Sequence, residues 1–127
     1  MGESFVELFR KNDEDNLGLL LLPKDAVGKV LNARVLANTD ADSLYSTMVT
    51  ANTQRFREFR SIFNDLSKTD IITFHAGHMA KSDFYADGVR MMKDSFVTLA
   101  YANRVEVKVK IEEMVVIDGK FFIVEID

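Results

Sequence analysis

The chain has no cysteine and no tryptophan, and only one proline and two histidines among its 127 residues. Without cysteine neither a disulfide framework nor a thiolate zinc site can form, and the redox compartment goes unmarked. The longest apolar run, Leu17 to Leu22 with Gly18 inside it, is far too short to span a bilayer, so no membrane partner is expected. No signal peptide is legible. As written the chain reads as cytoplasmic, or as exported if Met1-Gly2 replaces a removed signal. There is no phosphate loop, no Gly-x-Gly-x-x-Gly and no Gly-x-Ser-x-Gly elbow, which speaks against nucleotide binding and against a serine hydrolase. The net charge of −4 comes from interspersed signs. That leaves no basic face for nucleic acid.

What is present is apolar. A hydrophobic content of 47% with ten phenylalanines argues for a folded chain, and the length fits one domain, residues 1 to 127, able to bury a core without staples. Val105 to Asp127 reads VEVKVKIEEMVVIDGKFFIVEID, two β-branched runs joined by Asp118-Gly119, a strong hairpin signal. A two-residue turn pairs Ile117 with Lys120, Val116 with Phe121, Val115 with Phe122, Met114 with Ile123 and Glu113 with Val124. Val115, Phe122, Val124, Ile126, Ile111 and the earlier valines then share one face, and Met114, Val116, Phe121 and Ile123 the other. Two apolar faces require either helices on both sides or a partner subunit. The partner is the expectation, as a homodimer through the sheet. The same register turns Glu113 inward, where a carboxylate must be paired or protonated, unless a β-bulge at Glu112-Glu113 turns it out.

Upstream the pattern is helical. Ser4 to Glu7 reads as a capping box ahead of Phe5, Leu8 and Phe9, and Pro23 as the start of a short helix carrying Ala26, Val27, Val30 and Leu31. From Thr39–Asp42 to about Ser67 the spacing of Leu44, Tyr45, Met48, Val49, Phe56, Phe59, Ile62, Phe63 and Leu66 predicts a long helix, about 40 Å at 1.5 Å per residue. Its face of Asn52, Gln54, Arg57, Glu58 and Asn64 reads as solvated. This helix is expected to cover the concave face of the hairpin. Ile71 to His75 and Phe96 to Tyr101 read as further strands, and Gly77 to Lys93 fits either a strand with an irregular turn at Asp87-Gly88 or a short helix, the strand being preferred. The class is therefore α+β: helices first, including the long one, packed on a curved antiparallel sheet of about four strands.

This order, and above all the close VKIEEMVVIDGKFFIVEID, resembles the nuclear-transport-factor-two-like superfamily, the SnoaL-like or cystatin-like cone folds. The last forty or so residues carry the match, and Phe121 stands where many members have tryptophan. The resemblance implies a cone-shaped pocket between long helix and sheet, and dimerisation through the sheet. Its wall would draw on Tyr45, Phe59, Phe63, Phe74, Tyr101, Val109 and Phe122. Ketosteroid-isomerase and dehydratase relatives place an acid or base and a tyrosine inside the cone. The candidates here are Glu113 with Tyr101, Tyr45 or Tyr85, and an inward Glu113 would have a raised pKa. The first reading is a non-enzymatic domain binding a small apolar ligand or serving as an interaction module. The alternative is a small lyase or isomerase.

No cofactor is expected. His75 and His78 form a His-x-x-His pair with Asp83 nearby, the weak beginnings of a metal site. Residues three apart on a strand point to opposite faces, which argues against it. Met79, Met91, Met92 and Met114 fit either an adaptable surface or core filling.

Overall fold

The structure is a computed structural model that describes residues 2–11, 13–62, 69–101 and 106–127. Helix α1 spans Gly2–Lys11 and is followed by a 3₁₀ helix at Glu14–Leu19, then α2 (Lys24–Val30), α3 (Ala33–Asn38) and the long α4 (Ala41–Ile62). Strands β1 (Thr69–His75), β2 (His78–Ala80), β3 (Arg90–Tyr101), β4 (Glu106–Ile117) and β5 (Lys120–Ile126) follow. They form one antiparallel sheet in the order β1-β3-β4-β5, with β2 also on β3. The protein is thus α+β, with five strands where about four were expected.

Local chemistry explains most boundaries. Asp13 caps the 3₁₀ helix by accepting from the Asn16 N–H at 3.3 Å, and the Asp13 carboxylate also takes the Asn16 side-chain amide. Asn32 caps α3 the same way through the Arg34 N–H at 2.8 Å. Pro23 stands one residue ahead of α2 with φ near −65°, as its ring dictates. α1 begins at Gly2, so Ser4 lies inside the first turn and the expected capping box is not its cap. The break after Val30 and the separate α3 had no clear signal. Asp118 (φ 52°) and Gly119 (φ 77°) make the two-residue turn, and both left-handed positions suit that turn's twist.

The expected hairpin register holds from Ile117↔Lys120 to Met114↔Ile123 and then departs: Glu113 pairs with Glu125 rather than Val124. The irregularity does not stop at β4 and β5. On β3, Asp94 adopts φ 63° in mid-strand, and the β3–β4 pairing passes from Ser95↔Ile111 to Lys93↔Glu113 across it. The outer edge breaks on the same line, where β1 ends at His75 and β2 begins at His78. Gly77 lies in that gap, and its N–H donates to the buried Ser95 Oγ at 2.9 Å. The sheet therefore has a transverse crease.

The crease reverses which side chains face inward. On one side of it Val97, Leu99, Val109, Ile111 and Ile126 join a core with Phe5, Val6, Leu8, Leu17, Leu21 and Phe56. Across the crease that core continues through Met114 and Ile123, the opposite parity of the strands. Val115 and Met91, with Phe122 and Val124 packed against them, enter a second core under α2 with Leu22, Val27, Val30, Leu31 and Tyr85. The face assignment read from strict alternation is corrected at this point: Ile111, Ile126, Val107 and Val109 share a core with Met114 and Ile123. Met114, Val115 and Ile123 are all 0% exposed, each a burial of roughly 1.5–3 kcal/mol. The chain's own cores bury Met114, Val115 and Ile123 from both hairpin faces, while Val116, Phe121 and Phe122 stay half-buried.

The cover is also shared differently. Among the strands α4 lies chiefly against β5, while α1 lies against β1. The outer edge of β5 is closed by the chain itself. The Leu22 N–H donates to the Ile123 carbonyl at 2.9 Å and the Ile123 N–H to the Leu20 carbonyl at 2.7 Å. No helix among the described residues is long and apolar enough to cross a membrane.

Gly77 tests the crease. A Cβ there would stand 1.7 Å from the Lys93 carbonyl oxygen, a clash with backbone that only a strand displacement relieves. Gly77→Ala is expected to lower the free energy of unfolding by roughly 2 kcal/mol, measured by urea titration. An unchanged midpoint would mean that β3 is free to move there.

Candidate functional site

A cleft of about 580 Å³ opens between α4, the end of β5 and the loop that carries Phe84 and Tyr85. Its apolar lining includes Leu22, Val27, Leu31, Leu44, Met48 and Ile126, and its polar groups include Asn52, Arg55, Glu58 and Glu125. The volume suits a small ligand.

Three devices fix its walls. The loop before β3 is tied to the α2–α3 junction: Asn32 N–H donates to the Phe84 carbonyl at 2.9 Å and Ala86 N–H to the Val30 carbonyl at 2.7 Å. Tyr85 is held there at 5% exposure. On α4, Asn52 is 2% exposed and fully employed. Its amide donates to the Met48 carbonyl at 2.9 Å and the Val124 carbonyl at 2.8 Å, and its Oδ1 accepts the Ile126 N–H at 2.8 Å. A side chain expected on the solvated face thus bonds α4 to the β5 edge. Spacing carried the signal, because Asn52 is four residues from both Met48 and Phe56 on the apolar stripe. Third, ion pairs run around the rim. Arg55 binds Glu58 at 2.8 Å and Asp127 at 3.0 Å, and Lys110 lies 3.9 Å from Asp127, 3.2 Å from Asp94 and 2.7 Å from Glu112. These side chains are partly solvated and contribute position more than energy.

Of the tyrosine and carboxylate candidates among the described side chains, the fold brings one pair together. The Tyr85 hydroxyl donates to Glu113 Oε2 at 2.5 Å. Burial and then the Glu113 carboxylate push the phenol well above its ordinary range, so Tyr85 stays neutral and acts as a donor. The irregular pairing leaves Glu113 half-buried behind Tyr85, not on the cleft wall. Glu125, which sequence reasoning missed, does reach the cleft. Partial burial lifts its carboxyl above the usual range, helped by repulsion from Glu112, Glu113 and Asp127 and opposed by Lys93.

The expected pocket wall is distributed elsewhere. Tyr45 and Phe122 are half-buried against the second core and Phe59 against the first. Val109 is 1% exposed inside the first core, and Phe74 is exposed on β1. None of these five lines the cleft. Phe63 and the Tyr101 side chain lie outside the described residues. His75 stacks on Phe96 at 4.4 Å with Lys108 over the same ring, while His78 Nδ1 lies 3.7 Å from Asp94. Among the described residues no three His, Cys, Asp or Glu side chains are grouped to hold a metal ion. Met91 and Met114 are core, and Met79 is exposed. No family model, curated protein or solved structure matches the chain.

Two expectations follow. Asn52→Leu keeps the volume but orphans the Val124 carbonyl and the Ile126 N–H, and should lower unfolding free energy by about 2 kcal/mol; an unaltered denaturation curve would show that these bonds contribute nothing. The folded state holds the Glu125 proton more tightly than the unfolded chain does. This group's contribution therefore falls as pH rises from the ordinary glutamate value through the raised one. Melting temperatures of wild type and Glu125→Gln should diverge over that window, the variant gaining as pH rises. Parallel curves would mean that the carboxyl is unperturbed.

Proposed function

We propose that the protein is a non-enzymatic binding domain of nuclear-transport-factor-two-like type, whose cleft between α4 and the end of β5 takes a small apolar ligand. The observation that supports this most directly is the cleft itself: apolar walls, a few polar groups at the rim, and a frame pinned by Asn52 and by the tied Tyr85 loop. Sites of this size and polarity are the usual seats of small molecules. The order of helices, long helix and bent sheet fits the cone-fold resemblance drawn from the carboxy-terminal hairpin.

The isomerase alternative has less support. Its carboxylate, Glu113, is engaged by Tyr85 and stands off the cleft wall. Nor does the reading require a twin. The outward side of β3 and β4 carries Lys108, Lys110 and Glu112, a charged surface poorly suited to a dry dimer interface, and the reading draws its site from one chain.

A neutral apolar fluorophore, N-phenylnaphthylamine, tests the reading. It should brighten on binding wild type at micromolar concentration, and Ala51→Trp, which fills the cleft from the exposed face of α4, should weaken that binding at least tenfold with the circular-dichroism spectrum retained. Equal affinity in the two proteins would place the fluorophore elsewhere and defeat the proposal.

A further inference from the structure

The charges around the cleft do not cancel. Arg55 is the one cation on its lining, beside the two carboxylates Glu58 and Glu125. Both arms of the Arg55 guanidinium are taken, by Glu58 at 2.8 Å and by Asp127 at 3.0 Å, so it offers little to an incoming anion. Among the described residues no ion pair joins Glu125 to a cation. Behind it stand Glu113, its partner across the strands, and Glu112. Lys93 offsets part of that field, and Lys110 is held by Glu112, Asp94 and Asp127. Beside the same end of the cleft lie two aromatic rings, Phe84 and Tyr85, in edge-to-face contact at 5.7 Å. A net negative charge at the mouth of an apolar cavity with two aromatic rings in its lining is complementary to one kind of small molecule.

We propose that the cleft selects a lipophilic amine, its hydrocarbon body against Val27, Met48 and Ile126 and its ammonium group at Glu125 beside the Phe84 and Tyr85 rings. This rests on the cleft being a ligand site, and adds the charge of the ligand. An arriving cation would relieve the repulsion that Glu112, Glu113 and Asp127 exert on Glu125, whereas a carboxylate ligand would add to it. A neutral alcohol would gain the apolar walls alone.

Three probes of one chain length separate the two ideas: octylamine, octanol and octanoate, each titrated as a competitor of N-phenylnaphthylamine at neutral pH and low salt. Octylamine is expected to compete roughly tenfold more strongly than octanol, the order that an exposed ion pair and a cation–π contact supply together, with octanoate weakest. The amine-to-alcohol ratio should fall toward one in Glu125→Gln, and also in wild type at high salt, where screening weakens the pair without any mutation. Octanol competing as well as octylamine, or octanoate competing best, would overturn the charge selection and leave the apolar cleft standing. Failure of all three to displace the fluorophore would overturn the ligand site along with it. An amine preference that survives both the substitution and high salt would locate the selectivity away from Glu125, and would likewise end the inference.

Discussion

The crease across β3, β4 and β5 is the constraint on which the rest of this fold depends. A flat pleated sheet presents alternate side chains to one face along the whole of each strand, and this hairpin, apolar on both sides, could not then have been buried by helices on one side. The left-handed Asp94, the displaced Glu113↔Glu125 pair and the break between β1 and β2 fall on one line. Past that line the inward parity changes. One core runs under α1 and the 3₁₀ helix and the other under α2, with Met114 and Val115, neighbours in sequence, in different cores. Gly77 is needed because the bent strand passes where a Cβ would sit.

A creased sheet also ends awkwardly. The outer edge of β5 exposes backbone groups that an uncovered strand would offer to any passing chain, and two local solutions close it. Leu20 to Leu22 pair with Ile123, and the Asn52 amide takes Val124 and Ile126. A side chain, not a strand, seals the second stretch, and the cleft runs along α4 on both sides of that anchor, from Leu44 to Glu58, with the tied Tyr85 loop in its wall.

How much of this was legible follows from which interactions are local. The Asp118-Gly119 turn and four pairs of the register were readable because turn chemistry and β-branched runs act within a few residues. The long helix was readable from its period. Even the bulge at Glu112-Glu113 was visible as the alternative to burying a carboxylate. Its propagation to Asp94 and Gly77 was not, since it depends on strands meeting from distant parts of the chain. Phe74, Val109 and Phe122, which the resemblance put on a pocket wall, stand apart from the cleft because the crease sends neighbouring strand positions to different cores. Asn52 had a signal, its place on the apolar stripe, and was set on the wrong face because it is polar. Glu125 had none, because its place at the cleft depends on how β5 meets α4.

The crease also explains why charge gathers where it does. Asp94 and Glu112 fall between paired residues on that line and Glu113 pairs with Glu125 across it, so four acids gather there with none of them fully buried. Their mutual repulsion is moderated by Lys93 and Lys110 and by the Tyr85 hydroxyl, which satisfies Glu113 from inside the protein. For proton transfer this is a poor arrangement. The phenol is held neutral, and the carboxylate it serves is turned from the cavity. It suits the proposed recognition of an amine: the carboxylate that does reach the cleft is destabilised by burial and by its acidic neighbours, and a positive charge brought to it would lower that energy.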